Sequence, residues 1–167
     1  YSTTGYDDYG HGTMVAGVVA AEKNDSGIMG VAYDADIISI KVLNNLGKGS
    51  WSVVSEGVKI ATQQNAKVAN LSLGGTYTGD TSSWIQTYKD AVNSDTSLVI
   101  AAGNNNTMCT TSSTGSLTGC SYPAALPLLY SELLKGTGAW IVVGSVDKNG
   151  NKSSYSNSAG LMKDFFI

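Results

Sequence analysis

The stretch Leu98–Ala102, which reads LVIAA, decides the fold class of this chain. It is apolar at every position, as is typical of a central parallel strand that helices cover on both faces. Three other segments rich in apolar or β-branched residues, Ile37–Val42, Val68–Leu71 and Trp140–Val146, predict further strands. The final run Lys163–Ile167 indicates the beginning of one more strand.

Segments with helical spacing separate these strands. Gly10–Glu22 is dense in small residues, so we predict a buried helix that another backbone approaches closely. A second helix should begin after Ser50 or Ser52 and pack on a sheet, and a third should cover residues near 83–93. The packing face of the second helix should contain Val54, Gly57, Val58 and Ala61. Alternating helices and strands predict an α/β fold with a mostly parallel sheet and helices on both faces.

Length and composition limit the domain number and the class of partner. The chain has 167 residues, of which 42% are hydrophobic, enough for one core. We therefore expect residues 1–167 to form a single domain, truncated at both ends because it starts at Tyr1 and stops inside an apolar run. A charged fraction of 14% and a net charge of -3 argue against nucleic acid as a partner. The apolar stretches are far shorter than the roughly 20 residues that span a bilayer.

The cysteines Cys109 and Cys120 bracket a loop rich in Ser, Thr and Gly. A bridge that closes so short a loop should stabilise the protein by about 3 kcal/mol, and it would suit an oxidising compartment. The alternative is a pair of free thiols in a reducing cytosol. We favour the bridge, and with it a secreted protein.

Three glycine-containing loops follow predicted strands, at Gly47–Ser50, Ser72–Gly75 and Gly103–Asn106. Ligands of open α/β sheets bind beyond the carboxyl ends of the strands, so these loops should converge on one rim. Their glycines would let the backbone of a ligand come close. The only histidine, His11, stands between two glycines at a predicted helix start. A lone histidine cannot form the usual zinc site, which leaves acid–base catalysis or a structural role.

Short blocks of sequence follow one another from about Asp7 to about Asn157. The first, His11–Gly17, reads HGTMVAG, and the block that ends at Asn104 reads AAGN. The others are Gly30–Ala32, Lys41–Leu43, Asn70–Gly75, Ser121–Ala124, Val143–Asp147 and Ser154–Asn157. In order and approximate spacing, this series resembles the subtilisin-like serine peptidases, the subtilases of peptidase family S8.

The resemblance implies a serine endopeptidase of the EC 3.4.21 type with a Ser-His-Asp triad and no cofactor in its chemistry. His11 would be the general base and then the general acid. Asn104 would be the oxyanion-hole donor, with Asn105 and Asn106 as alternatives by residue type. The family order places the triad aspartate before Tyr1 and the serine after Ile167, so this segment alone is expected to be inactive. Asp7 and Asp8 would then be loop acids without a catalytic role.

The resemblance also implies an extended polypeptide as the substrate, bound by strand addition. The residues that would bind it are Gly47, Lys48, Gly49, Ser72, Leu73, Gly74 and Gly103. Trp51 would form a wall of a distal substrate pocket or belong to the core. The Tyr122-Pro123 bond lies where relatives can have a cis peptide.

Two further segments have counterparts in the family. Asn24–Ile28 resembles a loop that binds structural calcium in relatives, with Asn24 as the matching ligand and a solvated turn as the alternative. The apolar insertion Ala124–Gly138, together with the cysteine loop, resembles subtilases that bacteria export as autotransporter passengers.

Two other functions remain to be weighed against an active peptidase. The first is a catalytically inactive subtilase-like domain that only binds peptides. The second is a dinucleotide-binding α/β domain, for which Gly47-Lys48-Gly49 is a poor match because the third glycine of the fingerprint is missing.

Overall fold

The computed structural model describes residues 6–76 and 79–167. The chain forms two compact units, Tyr1–Gln64 and Asn65–Ile167, and each is considered by itself. The first unit contains helices α1 (His11–Ala20) and α2 (Trp51–Gln63). The second contains α3 (Ile85–Asn93) and the strands β1 (Val68–Leu71), β2 (Ser97–Ala101), β3 (Thr110–Thr111), β4 (Leu117–Thr118) and β5 (Trp140–Val143).

Helix α1 meets the backbone that follows it in the chain. The amides of Val31 and Ala32 donate to the carbonyls of Val18 and Val19, at 3.0 and 2.7 Å. A Cβ on Gly30 would lie 2.5 Å from the Ala20 nitrogen, so the close approach that we predicted occurs here.

The prediction that α1 is a buried helix is wrong. None of its residues is buried, and Met14 and Val18 are 67% and 62% exposed. Within its own unit, α1 is contacted by Ile28 at Gly17 and by residues 30–32 near its carboxyl end.

Helix α2 has the cap and the buried face that the sequence predicts. The Ser50 hydroxyl accepts a hydrogen bond from the Val53 amide at 3.4 Å, which satisfies one of the free N–H groups at the helix start. The face formed by Val54, Gly57, Val58 and Ala61 is buried. In its own unit this face meets Val42, whose Cγ1 would lie 2.5 Å from a Cβ on Gly57.

The strand predicted at Ile37–Val42 is not formed in the described structure. Residues 35–40 have no regular secondary structure, and Lys41 alone makes a single β-bridge. Ile37 and Ile38 are 49% and 47% exposed. β-branched residues favour extended backbone, but a strand also needs a hydrogen-bonding neighbour along its length.

The second unit is built on a parallel sheet in the order β1-β2-β5. Val99 in β2 pairs with Asn70 in β1 and with Ile141 in β5. Strands were predicted at all three places, although the last ends at Val143 rather than Val146. The α/β fold class with a parallel sheet is therefore confirmed.

The two faces of β2 are covered to different extents. Leu98 and Ile100 are fully buried, whereas Val99 and Ala101 are partly exposed. The cover of this strand is thus incomplete on the face of Val99 and Ala101. Helix α3 packs against β2 and contributes Tyr88 to the core of the unit.

The insertion at residues 124–138 is part of the core. It forms two short 3-10 helices, Leu126–Leu128 and Ser131–Leu134, and Leu126 and Leu133 are completely buried.

The last residues are helical before they are extended. A 3-10 helix covers Gly160–Phe165. The strand predicted at Lys163–Ile167 begins only at Phe166, which bridges Val142 in parallel, and the Ile167 amide donates to the Val142 carbonyl at 2.8 Å.

Candidate active site

His11 is the first residue of α1, and the Asp7 carboxylate organises the backbone around it. Asp7 Oδ1 accepts from the amides of Tyr9 and Gly10, at 3.0 and 2.8 Å. Its Oδ2 accepts from the amide and the hydroxyl of Thr13, both at 2.8 Å. The first N–H groups of a helix have no partner within the helix, so this carboxylate caps the helix that carries His11.

These hydrogen bonds also control the charge of Asp7. The bonds from the Gly10 and Thr13 amides, followed by those from the Thr13 hydroxyl and the Tyr9 amide, hold the pKa of Asp7 well below its ordinary value. The interpretation of Asp7 as a loop acid does not predict this capping role. The Asp-to-Thr spacing does not match the usual capping box, so no familiar motif reveals it.

The predicted substrate edge Gly47-Lys48-Gly49 lies in a closed turn of the first unit. Asn44 closes the turn with two hydrogen bonds. Its backbone N–H donates to the Lys48 carbonyl at 2.8 Å, and its side-chain Oδ1 accepts from the Lys48 backbone N–H at 3.1 Å. The backbone of Lys48 is therefore occupied, and strand addition at this edge has to use its neighbours. The ring of Tyr9 lies against Gly47, where a Cβ would be 2.7 Å from the ring. This contact joins the turn to the loop that precedes His11.

Two of the three predicted loops converge in the second unit, at the carboxyl ends of β1 and β2. Gly75 and Tyr122 form an antiparallel pair, with N–H to O distances of 3.1 and 2.9 Å. A Cβ on Gly74 would lie 2.6 Å from the Ser121 hydroxyl, and one on Gly103 would lie 3.1 Å from Ser121 Cβ. Ser72-Leu73-Gly74 and Gly103 therefore meet around Ser121.

The glycines of this rim are required by the protein's own packing. Gly103 has a φ of 103°, a conformation that strongly favours glycine. The places where side chains of Gly74 and Gly103 would lie are filled by Ser121 and Asn157. The sequence predicts that these glycines leave room for a ligand backbone, but on that side the room is filled by neighbouring side chains.

Asn104 is exposed directly after Gly103, in the loop that follows β2. Among the described residues its side-chain amide has no protein partner, so it is available to an incoming oxygen atom. The alternative Asn106 is engaged, because its Oδ1 accepts from Lys152 Nζ at 2.9 Å. This contact uses the oxygen of Asn106 and leaves its donor nitrogen free of partners in the described structure, so the choice of Asn104 over Asn105 and Asn106 stays a prediction.

The predicted calcium loop forms a hydrogen-bonded turn on the surface. Asn24 Oδ1 accepts from the Ser26 amide at 3.3 Å, and Asn24 Nδ2 donates to Glu22 at 3.4 Å. Residues 6–76 and 79–167 contain no group of three or more His, Cys, Asp or Glu side chains placed to hold a metal. Asn24 therefore has no carboxylate cluster beside it among the described residues, and calcium binding by this loop stays a prediction.

Two local predictions are confirmed. Cys109 and Cys120 form a disulfide, which joins the ends of the β3–β4 hairpin. The Tyr122-Pro123 peptide bond is cis. Trp51 is partly exposed at the first position of α2, and its role as pocket wall or core stays a prediction.

The sequence model of the subtilase family matches residues 2–164. The chain belongs to the subtilase family. Subtilisin DY from Bacillus licheniformis is 40% identical over 151 residues, which are 90% of this chain and 48% of that protein. Thermitase from Thermoactinomyces vulgaris is 39% identical over 154 residues, 92% of this chain and 47% of that protein.

A solved structure leads to the same family. The crystal structure of a cold-adapted subtilisin-like serine proteinase superposes with a TM-score of 0.69 at 30% identity, over 96% of this subtilase chain and 49% of that chain. The chain thus spans about half the length of the relatives it matches. The family membership decides against the dinucleotide-binding alternative. No helix in the described part of this subtilase is long and apolar enough to cross a membrane.

Proposed function

We propose that the full-length protein is a serine endopeptidase in which His11 is the proton carrier and Asn104 the oxyanion donor. One observation supports the proposal: the subtilase family model matches residues 2–164, a range that includes the HGT block with the only histidine of the chain, at the start of α1. The capped helix start supports the assignment, because a general base needs a fixed position relative to its nucleophile.

The proposed chemistry is acyl transfer. His11 takes the proton of the nucleophilic serine hydroxyl as that oxygen attacks the peptide carbonyl, and it then delivers the proton to the leaving amine. The Asn104 amide donates to the negative oxygen of the tetrahedral intermediate. Residues 1–167 contain no Gly-Thr-Ser segment, so we assign the serine to a position outside them. The resemblance to the family implies the same for the triad aspartate. No cofactor takes part in these steps.

The substrate is an extended polypeptide. Ser72-Leu73-Gly74 continues from β1 at the rim where Gly103 and Asn104 follow β2, so main chain and oxyanion donor belong to one edge of the sheet. Strand addition there would present a peptide carbonyl near that edge. Gly49, exposed beside the closed turn, is the residue of the 47–49 segment best suited to a second contact.

The disulfide supports a location outside the cytosol. Disulfides persist in oxidising environments, and the bond between Cys109 and Cys120 closes a hairpin whose residues are mostly exposed. We therefore propose that the protein is secreted or displayed on the bacterial cell surface.

The decisive test replaces His11 with alanine in the full-length protein. We expect kcat on a chromogenic peptide to fall by about 10⁴-fold or more, because no other group would carry the proton. Val18→Ala is the matched control, since Val18 is on the same helix and its side chain is exposed. It should retain wild-type turnover.

The same experiment separates an active enzyme from a peptide-binding relative. A wild-type protein that binds peptides but neither cleaves them nor reacts with a fluorophosphonate would indicate an inactive subtilase. Cleavage that persists in the His11→Ala protein would contradict the assigned proton carrier.

A further inference from the structure

Asn157 binds the loop that contains Asn104 from inside the protein. Its side chain is 2% exposed. The Asn157 Oδ1 accepts from the amides of Asn105 and Thr107, at 3.0 and 3.1 Å, and its Nδ2 donates to the Ala102 carbonyl at 2.9 Å. The Asn157 amide donates to the Gly103 carbonyl at 2.9 Å.

These contacts hold the two peptide groups that flank Asn104. The Gly103 carbonyl belongs to the peptide group that precedes Asn104, and the Asn105 amide belongs to the peptide group that follows it. Asn157 is hydrogen-bonded to both groups. One buried residue therefore holds the Asn104 backbone, and with it the direction of the Asn104 Cα–Cβ bond.

The arrangement requires an amide side chain in this place. A single carboxamide offers an oxygen that accepts two bonds and a nitrogen that donates, which matches the two N–H groups and the carbonyl of the loop. A Cβ on Gly103 would lie 2.6 Å from Asn157 Nδ2, so glycine is needed for the approach. Buried backbone groups that lost these partners would cost about 1–3 kcal/mol each, so the loop would move rather than leave them unsatisfied.

Asn157 itself is anchored to the segment that follows β5. The Ser156 hydroxyl accepts from the Ser145 amide at 2.9 Å and donates to the Asn157 carbonyl at 3.0 Å. Lys152 Nζ donates to the Ser156 carbonyl at 2.8 Å as well as to Asn106. These hydrogen bonds thus connect the loop after β2 to the segment after β5, the next strand of the same sheet.

We infer that Asn157 is a positioning residue for the oxyanion donor, acting through Asn104 without touching the substrate. The inference rests on the proposed function, since it presupposes that Asn104 stabilises the oxyanion. An oxyanion donor is effective only within about 2.7–3.1 Å of the place where the charge develops, and small misplacements lower the rate steeply.

The test measures kcat and KM for Asn157→Ala, Asn104→Ala and the double variant in the full-length protein. We expect Asn104→Ala to lower kcat by about 10²–10³-fold, as for the corresponding donor in subtilisin, a member of the same family. Asn157→Ala should lower kcat by about 10-fold or more with little change in KM. In the Asn104→Ala background it should have almost no further effect, because the donor it positions is gone.

Two additional variants separate positioning from general destabilisation. Thr96→Val removes a buried hydrogen bond to the Ala66 carbonyl before the start of β2, so it should lower the melting temperature and leave kcat unchanged. Asn157→Asp keeps the acceptor for Asn105 and Thr107, so its kcat should lie between those of Asn157→Ala and the wild type.

The outcomes test the role of Asn157 and the role of Asn104 separately. If Asn157→Ala reduces kcat equally with and without Asn104, or if Thr96→Val reduces kcat as much, Asn157 does not act through the donor. If Asn104→Ala leaves kcat unchanged, the oxyanion role of Asn104 is wrong and the positioning role fails with it.

Discussion

At the scale of single residues, Asp7 connects charge to the geometry of the helix that carries His11. Its carboxylate accepts from the amides of Tyr9, Gly10 and Thr13 and from the Thr13 hydroxyl. A protonated carboxyl group is a poorer acceptor, so folding favours the charged form. This preference for the charged form lowers the pKa of Asp7 in the folded protein.

This preference predicts a pH-dependent stability difference between the wild type and Asp7→Asn. Because the folded-state pKa lies below the ordinary value of 3.8, the contribution of the charge is fully present above pH 3.8 and declines as the pH falls below it. We would measure melting temperatures with both proteins covalently inhibited by a fluorophosphonate. The wild type should melt at a higher temperature than Asp7→Asn near neutral pH, and this difference should shrink towards pH 2. A gap of the same size at pH 3 and pH 7 would contradict this explanation.

At the scale of elements, α3 contains a buried polar atom without a protein partner. Tyr88 is completely buried, with its ring between Trp84 and Trp140 at centroid distances of 5.7 and 5.9 Å. Its hydroxyl has no hydrogen-bond partner in the described structure. Burial raises the pKa of Tyr88 far above its ordinary value, so the hydroxyl stays neutral. An unsatisfied buried hydroxyl is destabilising.

We therefore expect Tyr88→Phe to increase the free energy of unfolding by about 1 kcal/mol, since it removes the unpaired hydroxyl and keeps the ring. Tyr130→Phe is the matched control, because the Tyr130 hydroxyl lies 2.5 Å from the Thr81 hydroxyl. That variant should lose about 1 kcal/mol. Urea unfolding of the inhibited protein measures both changes, and a less stable Tyr88→Phe protein would show that the hydroxyl has a partner in solution.

At the scale of the whole molecule, the disulfide acts on the unfolded chain more than on any one element. Cys109 and Cys120 are separated by 11 positions, and their bond limits the conformations of the denatured protein. Replacing both with serine should lower the free energy of unfolding by about 3 kcal/mol on the chain-entropy model. Denaturant unfolding of the variant measures the loss, and the reduced wild type should behave in the same way. An unchanged midpoint would indicate that the hairpin contributes nothing through chain entropy.

An element could be predicted from the sequence when the residues that determine it are neighbours in the chain. β1 was predicted at its observed bounds and α2 with its cap and buried face, because a strand run, a cap residue and helical spacing are local patterns. The segment Ile37–Val42 has equally strong β-branched character but forms no strand, since pairing depends on a neighbour that no local pattern specifies.

Local sequence patterns predicted the α/β class, the resemblance to the subtilase family, and His11 and Asn104 as candidate site residues, and they favoured a disulfide over free thiols. Only the tertiary structure decided what holds those residues. Asp7 caps α1 through a spacing that no standard motif contains, and Asn157 binds Asn105 across 52 positions. The physical reason is that propensity and periodicity are properties of neighbouring residues. A buried amide can satisfy the backbone groups of a distant loop only because the fold brings the two segments together.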